Sequence, residues 1–157
     1  MPRAEIQVGL ISDTHGLLRP EAVTALRESD FIVHAGDIGD SSILDRLSEI
    51  APTTAVRGNN DKGDWASRIP ETRVLHVGTI LIHVLHDIAE LDLDPVAAGF
   101  HVIVAGHSHR PSIHWRDSVL FINPGSAGPR RFKLPVSVGK LAICAQVISP
   151  SLIELDV

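Results

Sequence analysis

Six short apolar runs, rich in Val and Ile and each closing on a polar cluster, restrict what this chain can fold into more than any other feature. They are 8–12, 31–35, 53–57, 80–85, 102–105 and 119–122. Each is too short for most helices and is flanked by Gly, Asp, Asn or Pro, which is how buried strands read. Helical patterns lie between the early runs. One begins at Pro20, whose missing N–H suits a first helical turn, with Ala22, Val23, Ala25 and Leu26 as its apolar stripe. A second follows a Ser41/Ser42 start and places Ile43, Leu44, Leu47, Ile50 and Ala51 on one face. A short third helix runs from an Asp94 cap through Pro95 to a Gly99 stop. After Arg110 the helical signal fades, and 112–115, 119–122, 140–148 and 152–157 read as extended. Strand alternating with helix implies parallel strands, and the strand-rich second half implies a further sheet packed on the first: an α/β sandwich.

The clusters that close the runs are Asp13-Thr14-His15, Gly36-Asp37, Gly58-Asn59-Asn60-Asp61, His86-Asp87, Gly106-His107-Ser108-His109 and Asn123-Pro124-Gly125-Ser126. In open α/β sheets ligands sit beyond the carboxyl ends of the strands, so these clusters are expected to converge on one rim. Asp13/His15 and His107/His109 are each two residues apart. In extended chain that spacing projects both side chains to one side, so each pair is expected to chelate. Composition bears on the chemistry through nine histidines among 157 residues, with no tyrosine and one methionine. Imidazole is the commonest neutral metal ligand.

The length fits a single domain spanning 1–157, and no repeat or low-complexity tract divides it. A formal charge of −5 disfavours a nucleic-acid polymer as partner. No apolar stretch approaches the roughly 18 residues of a membrane span, so no membrane partner is expected. One cysteine, Cys144 in the apolar stretch Leu141–Ala145, excludes an internal disulfide framework, reads as a buried inert thiol and fits the cytoplasm.

The ordered motifs Asp13-Thr14-His15, Gly36-Asp37, Gly58-Asn59, His86 and Gly106-His107-Ser108-His109 resemble those of the calcineurin-like metallophosphoesterases, in particular their small bacterial and archaeal phosphodiesterase branch. Asn123-Pro124-Gly125-Ser126 and Pro129-Arg130 are also similar to that branch, so the resemblance covers nearly the whole chain. It implies two mixed β-sheets packed as a sandwich flanked by helices, around two divalent metal ions. Asp13, His15 and His109 would hold one ion, Asn59, His86 and His107 the other, and Asp37 would bridge them. Carboxylate, imidazole and amide ligands suit Mn, Fe, Co, Ni or Zn better than Mg, and Mn is the first expectation. The implied activity is hydrolysis of small organic or nucleotide-like phosphodiesters by in-line attack of a hydroxide between the metals. Asp37, Asn59, Asn60 and His86 are the implied catalytic positions.

Asn60 departs from many larger relatives, which carry a histidine there that protonates the leaving group. An amide cannot do so, and general acid catalysis typically contributes about 10² to 10⁴ in rate. The expectation is modest turnover and a preference for leaving groups that depart as stable anions. Phosphomonoesterase activity and a non-catalytic protein-binding scaffold are the alternatives, but a scaffold is expected to lose ligands and all seven are retained here. A homodimer or homotetramer is suggested by the resemblance and by the apolar C-terminal region.

His34, His76, His83, His101 and His114 are read as packing or surface residues. Asp61 is read as either an acceptor behind a metal-bound imidazole or a turn residue. Arg130, Arg131 and Lys133 form a basic cluster read as solvated. No G-x-S-x-G elbow and no P-loop is present, which argues against a serine hydrolase and a P-loop nucleotide hydrolase.

Overall fold

The computed structural model describes residues 5–157, which form two five-stranded mixed sheets packed face to face. The first contains β1 (Ile6–Ile11), β2 (Phe31–His34), β3 (Thr53–Ala55), β9 (Ser137–Cys144) and β10 (Val147–Glu154), in the order β10-β9-β1-β2-β3. The second contains β4 (Thr72–Val77), β5 (Ile80–Leu85), β6 (Val102–Val104), β7 (Ser112–Arg116) and β8 (Val119–Asn123), in the order β4-β5-β6-β8-β7. The six apolar runs supply the parallel strands of both sheets: β1, β2 and β3 pair in parallel in one, β5, β6 and β8 in the other. Their lack of alternation has a simple cause, since a strand covered on both faces has no side to leave polar. The remaining strands are joined at the sides of these triplets by antiparallel pairings.

Between the sheets, Val8, Leu10, Val33, Ile82, Val84, Val102, Val104, Leu120 and Leu141 form the main core. The outer face of the first sheet is covered by α1 (Pro20–Leu26) and α2 (Ser41–Ser48), which bury Ala22, Leu26, Ile43 and Leu47 against Ile11, Ile32 and Val138. Each fully buried Leu or Ile of these clusters contributes about 1.5–3 kcal/mol. The outer face of the second sheet has thinner cover, a 3₁₀ turn at Ile88–Glu90 and the one-turn α4 (Pro95–Ala98), over a small cluster of Leu85, Ile103, Ala105, Val119 and Phe121. No helix among the described residues is long and apolar enough to cross a membrane.

Several local expectations change in the fold. The cap of α2 is Asp40, whose carboxylate accepts the Ser42 N–H at 2.9 Å, so the helix starts at Ser41 rather than behind it. The extended stretch 140–148 is broken into β9 and β10 by a turn in which Ala145 takes φ 57°. Cys144 is half-buried rather than buried, because β9 alternates faces and Leu141 and Ile143 hold the covered one. Strand β4 and the one-turn helix α3 (Asp64–Ser67) have no counterpart in the sequence reading. β4 is an edge strand, mostly exposed, so it shows neither a continuous apolar run nor a clean alternation.

Candidate metal centre

All six parallel strands point their carboxyl ends at the same edge of the sandwich, and the loops that follow them meet there. They do not continue as extended chain. Asp13, His15, Asp37, His107 and His109 all adopt left-handed backbone, with φ of 55°, 47°, 56°, 69° and 63°. Each such conformation costs a non-glycine residue about 1–2 kcal/mol, and it turns the chain sharply enough to aim consecutive loop side chains inward. The pair geometry expected from spacing is therefore corrected. Asp13 and His15 converge by turning, and His107 and His109 separate into different groups.

One group consists of Asp13, His15 and His109, the other of Asp37, His86 and His107. In the first, His15 Nε2 lies 3.8 Å from Asp13 Oδ1, His109 Nε2 lies 3.4 Å from the same oxygen, and the two nitrogens are 3.4 Å apart. Four donors about 2.1 Å from a tetrahedral ion are separated by about 3.4 Å, so this triangle has the dimensions of a coordination face. In the second group His86 Nε2 lies 3.2 Å from Asp37 Oδ2. The groups share an edge, since Asp37 Oδ2 is also 3.7 Å from His15 Nε2 and Asp13 Oδ1 is 3.9 Å from His86 Nε2. Asp13 Oδ1 and His86 Nε2 are buried without a hydrogen-bond partner, and both face this shared region. Buried polar atoms are seldom left unpaired, so the donor set fits a pair of cations.

The other atoms of these side chains are held. Asp13 Oδ2 accepts from the Ser12 hydroxyl at 2.7 Å and from the His107 N–H at 3.1 Å, leaving Oδ1 free. His86 donates through Nδ1 to the Ala35 carbonyl at 2.7 Å, which fixes the tautomer and turns the Nε2 lone pair inward. Asp37 accepts the Asn60 N–H at 2.8 Å and the Asn60 side-chain amide at 3.2 Å. Asn59 is exposed on the groove that also contains His86 and His107, and makes no hydrogen bond through its side chain among the described residues.

The electrostatics follow from these contacts. Burial alone would raise the Asp37 pKa, but the adjacent His86 imidazole, the hydrogen bond from the Asn60 N–H and the nearby His15 bring it down to about 2. Burial works against a charged His86, yet the Asp37 carboxylate 3.2 Å away, the Ala35 carbonyl and the Asp13 charge raise its pKa to about 8. Both directions make the cluster a carboxylate site that favours positive charge.

Other expected residues take supporting places. Asp61 is buried and accepts the Gly39 and Gly58 N–H groups, each at 2.9 Å, so it closes the loops rather than orienting an imidazole. His34 is fully buried: its Nδ1 accepts the Gly36 N–H at 3.1 Å, which leaves Nε2–H to donate to the Thr14 hydroxyl at 3.0 Å. Thr14 passes the bond to the Ile38 carbonyl at 2.8 Å. His83 packs on Phe100, with ring centroids 4.7 Å apart, on the side of β5 away from the site. His76 is exposed, His101 accepts the Leu81 N–H, and His114 stacks on Phe121. Arg130 donates to the Leu134 and Val157 carbonyls, and Arg131 and Lys133 are exposed. Sequence reasoning missed Ser12 and gave Ser126 only a place on the rim. Ser126 donates to the Asp13 carbonyl at 3.0 Å, buttressing the first loop. A serine beside an aspartate carries no distinguishing pattern, so only the contact reveals Ser12.

Comparison with known proteins agrees with this architecture. A probable metallophosphoesterase of Methanothermobacter thermautotrophicus is 32% identical over 159 aligned positions, covering 94% of this chain and 91% of that protein. A structure titled as a novel archaeal phosphodiesterase superposes with a TM-score of 0.77 at 20% identity, covering 94% of this chain and all of the other. Vacuolar Protein Sorting 29 from Cryptosporidium parvum has the same fold, with a TM-score of 0.76 at 18% identity over 96% of this chain and 98% of its own. The calcineurin-like phosphoesterase superfamily domain matches residues 6–146, and the chain belongs to that family of metal-dependent phosphoesterases.

Proposed function

We propose that the protein is a metal-dependent phosphodiesterase acting on small organic or nucleotide-like phosphodiesters, with a binuclear centre held by Asp13, His15, Asp37, Asn59, His86, His107 and His109. The observation that carries this is the pair of adjoining carboxylate–imidazole groups, joined through Asp13 Oδ1 and Asp37 Oδ2 and containing buried atoms with no protein partner. Mn is the metal proposed first, with Fe, Co, Ni or Zn as alternatives that mixed carboxylate and imidazole ligation also suits. Two divalent ions supply Lewis acidity toward phosphoryl oxygens and bring the pKa of water near neutrality.

The chain's own residues do the rest. Asp37 belongs to the second group and reaches toward the first, its Oδ2 lying 3.7 Å from His15 Nε2, and Asn60 holds its carboxylate by both the backbone N–H and the side-chain amide. Asn60 is thereby a positioning residue, and it offers no proton to a leaving group. His86 is locked by Ala35 in the tautomer that presents Nε2 to the site. The exposed Asn59 and His107 face the open groove, where a phosphate ester enters. Retention of all seven side chains favours catalysis over the scaffold role. The single cysteine supports a reducing, cytoplasmic setting.

The test is hydrolysis of an aryl phosphodiester, an alkyl phosphodiester and the matching monoesters. Metal-depleted protein should be inactive and recover with Mn, diesters should exceed monoesters, and Asp37→Asn should lose about 10³-fold or more in kcat. Activity that survives both metal removal and Asp37→Asn would refute the proposal.

A further inference from the structure

Beside the metal centre lies a cavity of about 150 Å³, between the 3₁₀ turn at Ile88–Glu90 and the outer face of β6 and β8. It exists because that face of the second sheet has so little helical cover. Its lining includes the apolar side chains of Ile88, Ile103, Ala105, Phe121 and Ile122, together with Asp87 and His107. Those two residues also line the groove that contains His86 and Asn59, so the cavity adjoins that groove.

Two of the polar side chains on its wall are already engaged. Asn123 donates to the Gly106 carbonyl and to Ser108 Oγ and accepts the Gly125 N–H, at 2.9, 3.1 and 2.9 Å. Ser108 Oγ also accepts the Arg110 N–H at 3.2 Å. None of the buried polar atoms without a partner belongs to this cavity. A ligand ring seated there meets a mostly apolar surface, whose wall includes the near-parallel His114–Phe121 stack, 6° between the ring planes. An apolar cavity of this volume matches one six-membered aromatic ring.

We propose that this cavity is the subsite for the organic part of the substrate, and that it takes a single aromatic ring of an aryl phosphate ester whose phosphate sits on the His107 side. This rests on the phosphoesterase reading and narrows its substrate class. It agrees with Asn60, since a ring bonded through oxygen leaves as a stabilised phenolate and needs no protonation.

The test measures binding, apart from turnover. Phenylphosphonate and methylphosphonate are titrated calorimetrically into Mn-loaded protein, and phenylphosphonate is expected to bind about tenfold more tightly or better. Ser112→Trp, which fills the mouth from the exposed edge strand, and Ile88→Ser, which removes the apolar lip, should each shrink that ratio to about threefold or less. With zinc-loaded wild-type protein, ring-to-methyl NOEs to Ile88 and Ile103 give a reading that needs no variant. Equal affinities in the wild type, absence of binding by either phosphonate, a ratio kept by both folded variants, or absent NOEs would overturn the proposal. Hydrolysis assayed in parallel separates the two ideas. Turnover without phenyl discrimination sinks the subsite alone, whereas discrimination without turnover sinks the phosphoesterase reading and leaves the subsite standing.

Discussion

His34 shows how much of the site depends on a residue that never faces it. Its imidazole accepts from Gly36 in one motif loop and donates to Thr14 in another, so a single neutral ring ties the Asp13 loop to the Asp37 loop. Burial, the dominant cause, and the nearby His86 push its pKa down to about 4, against the pull of Asp13, Asp61 and Asp37. The folded value lies below the unfolded value of about 6.5, so the unfolded chain takes up the proton first. Stability from the neutral ring is complete above about pH 6.5 and falls as pH drops toward about 4, by about 3 kcal/mol in all. His34→Phe should cost about 1–3 kcal/mol at pH 7 by stranding the Gly36 N–H and removing the donor to the Thr14 hydroxyl oxygen. Urea denaturation should also show a shallower loss between pH 7 and 4 than in wild type. Identical pH dependence in both proteins would reject this role. In the sequence His34 is one more histidine in an apolar run, and its bonds are invisible there because both partners lie on other loops.

At the scale of elements, the strand ends work because their glycines let loops approach where a side chain would intrude. A Cβ on Gly106 would fall 2.0 Å from Ser12 Oγ and 2.7 Å from Asp13 Oδ2, in the middle of the bond that holds Asp13. Gly58 is as confined, with Asp37 N and Oδ1 both 2.2 Å from where its Cβ would be. Gly106→Ala should therefore displace Ser12 and weaken Mn binding about 10–100-fold, as loss of a contact behind a ligand usually does. Calorimetric titration with Mn checks this, and unchanged affinity would refute it. The parallel strands and their loops were legible because full burial leaves a continuous apolar run and the turn leaves a polar cluster. The edge strand β4 was not, because an exposed edge has no burial pattern to read.

At the scale of the whole molecule, charge decides whether an anionic substrate is welcome. The formal charge is −5, and two dications bring it to −1, while the local change is from two carboxylates to a net positive centre. Inorganic phosphate should bind the Mn-loaded protein and show no measurable binding to the metal-depleted one at the same concentrations. Equal binding in both states would mean that phosphate is held elsewhere.

The sequence alone determined the residue types, their order and the alternation of apolar run with polar cluster, because burial and turning are local demands that each segment meets on its own. Tertiary structure decided which imidazole meets which carboxylate. His15 and His109 are 94 residues apart, and His107 parts from His109 only because each loop turns through left-handed backbone under the packing of two sheets. Covalent neighbours fix what a loop offers; the contact between the sheets fixes where each offer is received.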